Sequence, residues 1–107
     1  MKLCRFDLAD TQFNFISPSV VQDISLLLEH GVQCGGFLEA VLDNDLRTAV
    51  ARADSRNAHD LALIVRLLIS HVPGVFGHAG SVAKYVSGRT RYIINEHGQA
   101  ERLEVAA

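Results

Sequence analysis

The sequence predicts a mainly α domain of the α+β class: a compact bundle of four to five short helices with a small C-terminal β-hairpin. Apolar residues recur at helical spacing through the middle of the 107-residue chain. Glycine, proline, asparagine and aspartate divide that region into short segments, and the spacing changes to alternation near the C-terminus. We therefore expect one domain over residues 1–107, with a helical core at 17–87 and a hairpin tail at 89–105 that an N-terminal strand can join.

The N-terminal part of the chain predicts short strands and then a helix. Residues 2–8 alternate loosely and predict a strand, and residues 10–16 are a weaker candidate. Ser17 and Pro18 are typical of a helix N-cap followed by the first helical position. Gly31 favours the left-handed conformation that ends a helix. The face that we expect this helix to bury consists of Val20, Val21, Ile24, Leu27 and Leu28.

Two further short helices are expected in the middle of the chain. Gly35-Gly36 permits a sharp turn, after which residues 37–43 form one helix and residues 46–53 the next. Asn44 or Asp45 is expected to cap the later helix, although one bent helix also fits the pattern. The side chains that the later helix is expected to bury are Leu46, Ala49, Val50 and Ala53.

Residues 58–71 form the most hydrophobic helix that the sequence predicts. Asp54, Ser55 and Asn57 are all candidate caps for it. A helix that is apolar nearly all round is either central to a domain or covered by a partner, and we expect a homodimer built on this one. Its expected core stripe comprises Leu61, Ile64, Val65 and Leu68. The apolar residues on its other faces, which we assign to the dimer or the core, are Leu63, Leu67 and Ile69.

The C-terminal third of the chain ends in a predicted β-hairpin. The glycine-rich segment before Ser81 predicts a loop, and Ser81 is expected to cap a helix at 82–86 that Gly88 ends. Alternating segments at 89–94 and 101–105 flank a glycine-containing turn. Because an isolated hairpin is marginal in water, we expect a third strand from the N-terminal segment or packing across another subunit.

Charge is unevenly distributed along the chain. The sequence has 12 acidic and 10 basic residues, a net charge of −2 and a pI of about 6.2. Residues 7–45 carry acids but no lysine or arginine, whereas bases dominate residues 47–91. This pattern predicts one acidic and one basic surface if sequence neighbours share a face, and mutual neutralisation across the core if they do not. The acidic partner-binding face that we expect comprises Asp23, Glu29, Glu39, Asp43 and Asp45.

The basic residues are candidate contacts for nucleic acid. Arginine and lysine side chains bind phosphates, and a tyrosine is available to stack on a base. Against this, nucleic-acid-binding domains are usually basic overall, and a pI of about 6.2 favours a solvated rim of bases. The candidate contacts are Arg47, Arg52, Arg56, Lys84, Arg89, Arg91 and Tyr92.

The sequence contains no recognisable catalytic or metal-binding arrangement. The five histidines lie near helix ends or turns, and one pair with ligand spacing, His30 and Cys34, is separated by the helix-breaking Gly31. Cys34 is the best enzyme-like feature, because free amides at a helix N-terminus would stabilise its thiolate. Since no base or orienting group can be assigned to it, we predict a protein that is not an enzyme and uses no metal or cofactor.

The sequence also predicts the compartment. Cys4 and Cys34 match no metal or redox spacing and are expected to be reduced thiols. The longest apolar stretch, residues 61–69, is interrupted by Arg66 and is too short to cross a bilayer. The first residues lack the apolar segment of a secretory signal. We therefore expect a cytoplasmic protein with no membrane association.

The helical core contains a long motif. Residues 29–46 read E-H-G-x3-G-G-F-L-x-A-V-L-x-N-D-L, and residues 52–57 read R-A-D-x2-N. This motif resembles that of a family of small proteins encoded by bacteriophages, prophages and related mobile elements, and the resemblance spans residues 17–86. Family members often have Trp-Gly-Ser where this chain has Phe76-Gly77-His78, and a tryptophan near Tyr85. The resemblance implies a genomic setting and supplies no catalytic residues.

The function that these observations predict is non-enzymatic binding. We expect a phage- or prophage-borne accessory protein that binds and modulates a host bacterial protein complex, with an anti-CRISPR or other anti-defence inhibitor as its sharpest form. Its acidic surface would compete for a basic groove that normally holds nucleic acid. One alternative is a small DNA- or RNA-binding regulator that uses the arginine-bearing helices and tail. Another is an enzyme that uses Cys34 as its nucleophile.

Overall fold

Five helices and two antiparallel strand pairs make up residues 1–103, the part of the chain that the computed structural model describes. In chain order the elements are β1 Lys2–Leu3, β2 Phe6–Asp7, α1 Pro18–His30, α2 Gly36–Leu42, α3 Leu46–Arg52, α4 Ser55–His71, α5 Ser81–Ser87, β3 Arg91–Ile94 and β4 Ala100–Leu103. The predicted mainly α fold with a C-terminal hairpin is confirmed. The end of the predicted second hairpin strand, residues 104–105, lies outside the described residues.

Helix α1 begins and ends as its local sequence signals predict. Ser17 is the N-cap and Pro18 the first helical residue, although the Ser17 hydroxyl pairs with that of Ser19 rather than with a backbone amide. Gly31 takes a left-handed conformation with φ of 65°, and its N–H donates to the carbonyl of Leu27. The side chains that α1 buries are the five predicted ones, Val20, Val21, Ile24, Leu27 and Leu28.

Helices α2 and α3 are separate. The chain between them turns through Asn44, whose φ is 60°, and Asp45 caps α3 by accepting from the Thr48 N–H at 3.3 Å. Of the side chains that α3 was expected to bury, Ala49 is buried, whereas Leu46 is 65% and Val50 is 55% exposed. The prediction for those two was wrong because α3, one short helix against α2, buries only a narrow face.

Helix α4 packs with a different face from the one predicted. Asp54 caps it by accepting from the Asn57 N–H at 2.7 Å. Its buried side chains are Asp60, Ile64 and Leu67, while Val65 is 36% exposed. The expected stripe was therefore wrong for Val65, and Leu67 belongs to the core. The face that α4 buries begins with Asp60. A search for apolar residues at helical spacing does not count an aspartate, so the sequence pattern does not identify this face.

Helix α5 is capped by a residue distant in sequence. Gly80, with φ of 80°, occupies the N-cap position, and Ser81 is the first helical residue rather than the predicted cap. Asp43 supplies the cap, since its Oδ1 accepts from Ser81 Oγ at 2.6 Å and from the Val82 N–H at 2.9 Å. Gly88 ends α5 as predicted.

The two strand pairs form separate sheets. Strands β1 and β2 make a short N-terminal hairpin, and β3 pairs with β4 in a register that sets Tyr92 opposite Arg102. The N-terminal segment does not add a third strand to β3–β4. It contributes one backbone hydrogen bond, from Arg5 N–H to the Ile94 carbonyl at 2.9 Å.

The weaker strand candidate at residues 10–16 is a series of turns. Thr11 explains this difference, because its hydroxyl donates to the Leu8 carbonyl and accepts from the Phe13 N–H. Such local side-chain bonds compete with strand pairing. The segment still contributes to the core, since Phe13 and Ile16 are both buried.

The core joins α1 to elements from both ends of the chain. Helix α1 packs against β1 and β3, and Leu3, Ile24 and Ile94 are each fully buried there. At the end of α4, His71 Nδ1 donates to the Gly98 carbonyl at 2.8 Å, which attaches the hairpin turn to that helix. Among residues 1–103, none of the helices has the length and apolar character needed to span a bilayer.

Candidate functional site

The structure gathers three of the five predicted acidic residues around one sulfur atom. Asp23, Glu39 and Asp43 each raise the pKa of the Cys34 thiol, which places all three within electrostatic range of it. Asp23 is exposed on α1, and Glu39 accepts a hydrogen bond from Gln33 at 3.0 Å. These three carboxylates of the expected acidic face therefore share an electrostatic influence on Cys34.

The other two predicted acidic residues lie apart from this group. Glu29 lines a depression together with Lys2 and Cys4, so it lies on the side of α1 that faces the N-terminal hairpin, and its charge raises the pKa of Cys4. Asp45 stands at the start of α3, where hydrogen bonding from Thr48 lowers its pKa. The five acids therefore do not form one continuous face.

Asp43 has a structural task within this group. Its side chain is half-buried, and one oxygen accepts both hydrogen bonds that cap α5. A carboxylate used in this way has less capacity for a partner, so Asp23 and Glu39 are the group members with the greater freedom to bind one.

Cys34 lacks the properties of a nucleophile. The residue is 8% exposed, and burial, with the neighbouring acids as further contributors, raises the pKa of its thiol to about 11. The stabilisation expected from the α2 N-terminus is outweighed by these two effects. At neutral pH the thiol is protonated, whereas the thiolate is the reactive form.

Arg91 is used inside the fold. Its Nη1 donates to the carbonyls of Tyr85 and Thr90 at 2.8 and 2.9 Å, and its Nη2 donates to that of Val86 at 3.3 Å. The guanidinium also lies 5.3 Å from the centroid of the Tyr85 ring. Arg91 therefore caps the C-terminal end of α5, and three of its five N–H groups are directed at backbone carbonyls rather than at a phosphate.

The arginines of α3 and α4 form no single patch either. Arg56 donates to the Phe15 carbonyl at 2.9 Å and lies 3.7 Å from Asp60, whose carboxylate is buried. The Arg52 guanidinium lies close to Gly36 at the start of α2. Arg47 and Arg89 are exposed. The predicted basic set is thus divided between α3–α4 and the C-terminal part of the chain.

Two of the predicted nucleic-acid contacts do come together. Lys84 and Tyr92 line one cleft of about 510 Å³ between α5 and the β3–β4 hairpin. Arg102 lines it too, and this residue is not among the contacts predicted from the sequence. The register of the hairpin would have identified Arg102. Residues opposite each other on antiparallel strands share a face, and Arg102 lies opposite Tyr92.

Aliphatic side chains are exposed on α3 and α4. Leu46 and Val50 are one helical turn apart on α3, and Val65 and Ile69 are one turn apart on α4. Ile69, at 78% exposure, is the most exposed of the four. A groove of about 430 Å³ beside the α4 pair is lined by Val41, Leu42, Asn44, Val65, Leu68, Ile69, Val72, Pro73, Gly74, Phe76 and Gly77.

The three residues assigned to a dimer or to the core of α4 have different environments. Leu67 is fully buried within one chain, so it belongs to the core. Leu63 is half-buried and packs against the core cluster. Ile69 is exposed and is the member of the set that a second chain could cover.

The histidines and acids form no metal centre in the part of the chain that the structure describes. No group of three or more histidine, cysteine, aspartate or glutamate side chains there has a geometry that could hold a metal ion. His71, the most enclosed histidine, is held by the Gly98 carbonyl and lies between the rings of Phe6 and Phe13.

Comparison with known proteins gives no match: no protein family, no curated protein and no solved structure is matched by this chain. The phage-family resemblance therefore depends on the motif alone. Several motif positions have structural tasks here, because Gly31 ends α1, Asp45 caps α3 and Asp54 caps α4. The motif thus describes how α1 to α4 are joined.

Proposed function

We propose that the protein is a non-enzymatic accessory protein of a phage or another mobile element, which acts in the bacterial cytoplasm by binding and modulating a host protein complex. An anti-CRISPR or other anti-defence inhibitor is the sharpest form of this proposal. The observation that carries it is the exposure of Leu46 and Val50 side by side on α3. Grouped aliphatic side chains in water are typical of a surface that another protein covers.

The neighbouring charges suggest what kind of partner binds. Asp45 stands at the end of the Leu46–Val50 stripe, and Asp23 and Glu39 form the acidic group near Cys34. Interfaces commonly combine an apolar centre with a charged rim, and rim charges select the partner. An acid at this rim, Asp45, favours a basic partner, such as a groove in a host complex that otherwise holds nucleic acid. We expect the charges of Asp23 and Glu39 to add to this attraction.

The test of the proposed binding is a tagged pull-down from host lysate, with and without nuclease, read by mass spectrometry. We expect a stoichiometric nucleic-acid-binding protein complex that survives nuclease. The double variant Leu46→Ser/Val50→Ser should lose it, whereas Val32→Ser, which changes an exposed valine in the α1–α2 loop, should retain it. Recovery of nucleic acid alone, lost with nuclease, would instead favour a DNA- or RNA-binding regulator.

The charge part of the proposal has its own variants. Asp23→Asn, Glu39→Gln and Asp45→Asn together remove three charges, and asparagine at position 45 preserves the cap because it is as good an N-cap as aspartate. We expect weaker partner binding, on the order of tenfold or more. The matched control is Asp10→Asn/Glu96→Gln/Glu101→Gln, which neutralises three exposed acids elsewhere. Equal binding by both sets would contradict the acidic mechanism.

A homodimer on α4 is the second part of the proposal. Val65 and Ile69 border the aliphatic groove and are exposed in one chain, so a second copy would remove them from water. Light scattering is expected to give about twice the chain mass of 11.7 kDa, and Ile69→Ser should return the mass to that of one chain. A wild-type mass of one chain at micromolar concentration would end this part of the proposal.

A further inference from the structure

The cleft between α5 and the β3–β4 hairpin has a chemically varied lining. Its volume of about 510 Å³ falls within the roughly 300–1,000 Å³ of small-molecule sites. Its lining combines long cationic side chains, hydroxyl groups and aromatic rings. The residues that line it are Gly74, Val75, His78, Ser81, Lys84, Tyr85, Gly88, Thr90, Tyr92 and Arg102.

The charge of the cleft favours an anion. Lys84 approaches from α5 and Arg102 from β4, and His78 adds a third basic group. Within residues 1–103, no carboxylate lines the cleft, and neither Lys84 nor Arg102 takes part in an ion pair. An anion that binds between two positive charges lowers their electrostatic free energy.

Asp43, which bonds to a residue that lines the cleft, is already engaged. Asp43 reaches its edge through Ser81, whose hydroxyl donates to the Asp43 carboxylate, and that same carboxylate oxygen accepts from the Val82 N–H. Its hydrogen bonds are thus directed at the α5 N-terminus. Thr90 also lines the cleft, and its hydroxyl is able to donate to an anion.

The aromatic part of the cleft favours a ligand with a planar ring. The rings of Tyr85 and Tyr92 lie 6.5 Å apart with an interplanar angle of 26°. Tyr85 is fixed from two directions, since its hydroxyl donates to the Leu28 carbonyl and accepts from the Tyr92 N–H. Tyr85 is itself buried, so Tyr92, which is half-buried and lines the cleft, is the ring on which a nucleobase can stack.

We propose that this cleft binds a nucleoside phosphate, with Lys84 and Arg102 holding the phosphate and Tyr92 contacting the base. The ligand is either a free nucleotide or the terminal unit of a single strand, which share this chemistry. The site lies between α5 and the hairpin, whereas the aliphatic stripes proposed for protein binding lie on α3 and α4. Failure of either proposal therefore leaves the other intact.

The test is a titration of the full chain, followed by calorimetry and by the backbone amide shifts of Lys84, Thr90 and Arg102. The probes are AMP, UMP, adenosine, inorganic phosphate and a 5′-phosphorylated tetranucleotide. We expect AMP or UMP to bind and to move those shifts, and adenosine and phosphate to bind at least tenfold more weakly. Tighter binding of the tetranucleotide than of AMP would identify the strand end as the source, and the reverse would identify a free nucleotide.

Matched variants complete the test. Lys84→Met and Arg102→Gln should each weaken AMP binding by roughly tenfold or more, because each removes a charged donor from the phosphate. Arg89→Gln removes an exposed charge outside the cleft and should bind as wild type does. Unfolding curves of all three variants establish that they fold. The proposal is overturned if adenosine binds as tightly as AMP, if Arg89→Gln weakens binding as much as the cleft variants, or if no probe binds at millimolar concentration.

Discussion

The hydroxyl of Tyr85 donates a hydrogen bond to the carbonyl oxygen of Leu28 and thereby joins α5 to the last turn of α1. That carbonyl has no partner within α1, because the chain leaves the helix at Gly31 and the Val32 N–H bonds to Leu26 instead. The same hydroxyl accepts from the Tyr92 N–H at 3.1 Å. One buried oxygen thus satisfies two backbone groups in different elements.

Replacing this hydroxyl should lower the stability of the whole domain. Tyr85→Phe keeps the ring but leaves the Leu28 carbonyl and the Tyr92 N–H without a partner. We expect a loss of about 1–3 kcal/mol in the free energy of unfolding, since buried backbone groups that lose a partner have a desolvation cost of that size. Urea unfolding of the two proteins measures it. A difference below about 0.5 kcal/mol would mean that water replaces the hydroxyl.

Tyr85 should also make the protein sensitive to alkaline pH. Burial raises the pKa of its phenol from 10.0 to about 12, so the folded state holds this proton more tightly than the unfolded state does. The resulting stability is fully present below pH 10 and is lost as pH rises towards 12. Unfolding free energies measured from pH 8 to 12 should fall in that window and fall less steeply in Tyr85→Phe. Cys34, with a pKa of about 11, contributes a decline of the same sign that begins near pH 9.

Asp43 should prove to be a capping residue. Asp43→Ala removes the acceptor for Ser81 Oγ and the Val82 N–H, and we expect a loss of about 0.5–2 kcal/mol, the usual effect of losing an N-cap. Asp43→Asn retains an oxygen at the same position and should be close to wild type in denaturant unfolding. Equal losses in the two variants would show that the negative charge matters rather than the cap.

The Cys34 thiol should react slowly. With its pKa near 11, the thiolate fraction at pH 7 is on the order of 10⁻⁴, and the sulfur is buried as well. We expect iodoacetamide to alkylate Cys34 in the folded protein at least tenfold more slowly than in the urea-unfolded chain. Peptide mapping by mass spectrometry separates Cys34 from Cys4. Faster alkylation in the folded state would mean an activated thiol and would return the enzyme hypothesis to consideration.

The structure shows which kinds of feature the sequence could predict. Ser17, Gly31 and Gly88 act through their own backbone or that of immediate neighbours, so the helix boundaries they mark were predictable. The cap of α5 was not, because Ser81 and Asp43 are 38 positions apart and no local pattern connects them. The buried face of α4 was mispredicted for a related reason, since Asp60 is buried by its position in the fold rather than by its polarity.

The candidate sites show the same limit. Charge segregation along the chain drew attention to Asp23 and Glu29 together, but the two side chains lie on different sides of α1, because six positions along a helix rotate a side chain well away from the first. Lys84 and Tyr92 were identified as possible ligand contacts from their type alone. Arg102 lies beside them only because β4 pairs with β3, which the sequence does not show directly. Arg91 does not join this group, because it donates to a carbonyl at the end of α5.

Helix α5 is held at both ends by side chains from elsewhere, Asp43 at its start and Arg91 at its end. Seven residues are too few for a helix to persist in water, so α5 exists only while α2 and the hairpin are both in place. It cannot melt as an independent unit. Its amide protons should therefore exchange with solvent only when the surrounding fold opens. Since α5 forms one wall of the proposed nucleotide cleft, that wall should unfold only together with the rest of the domain.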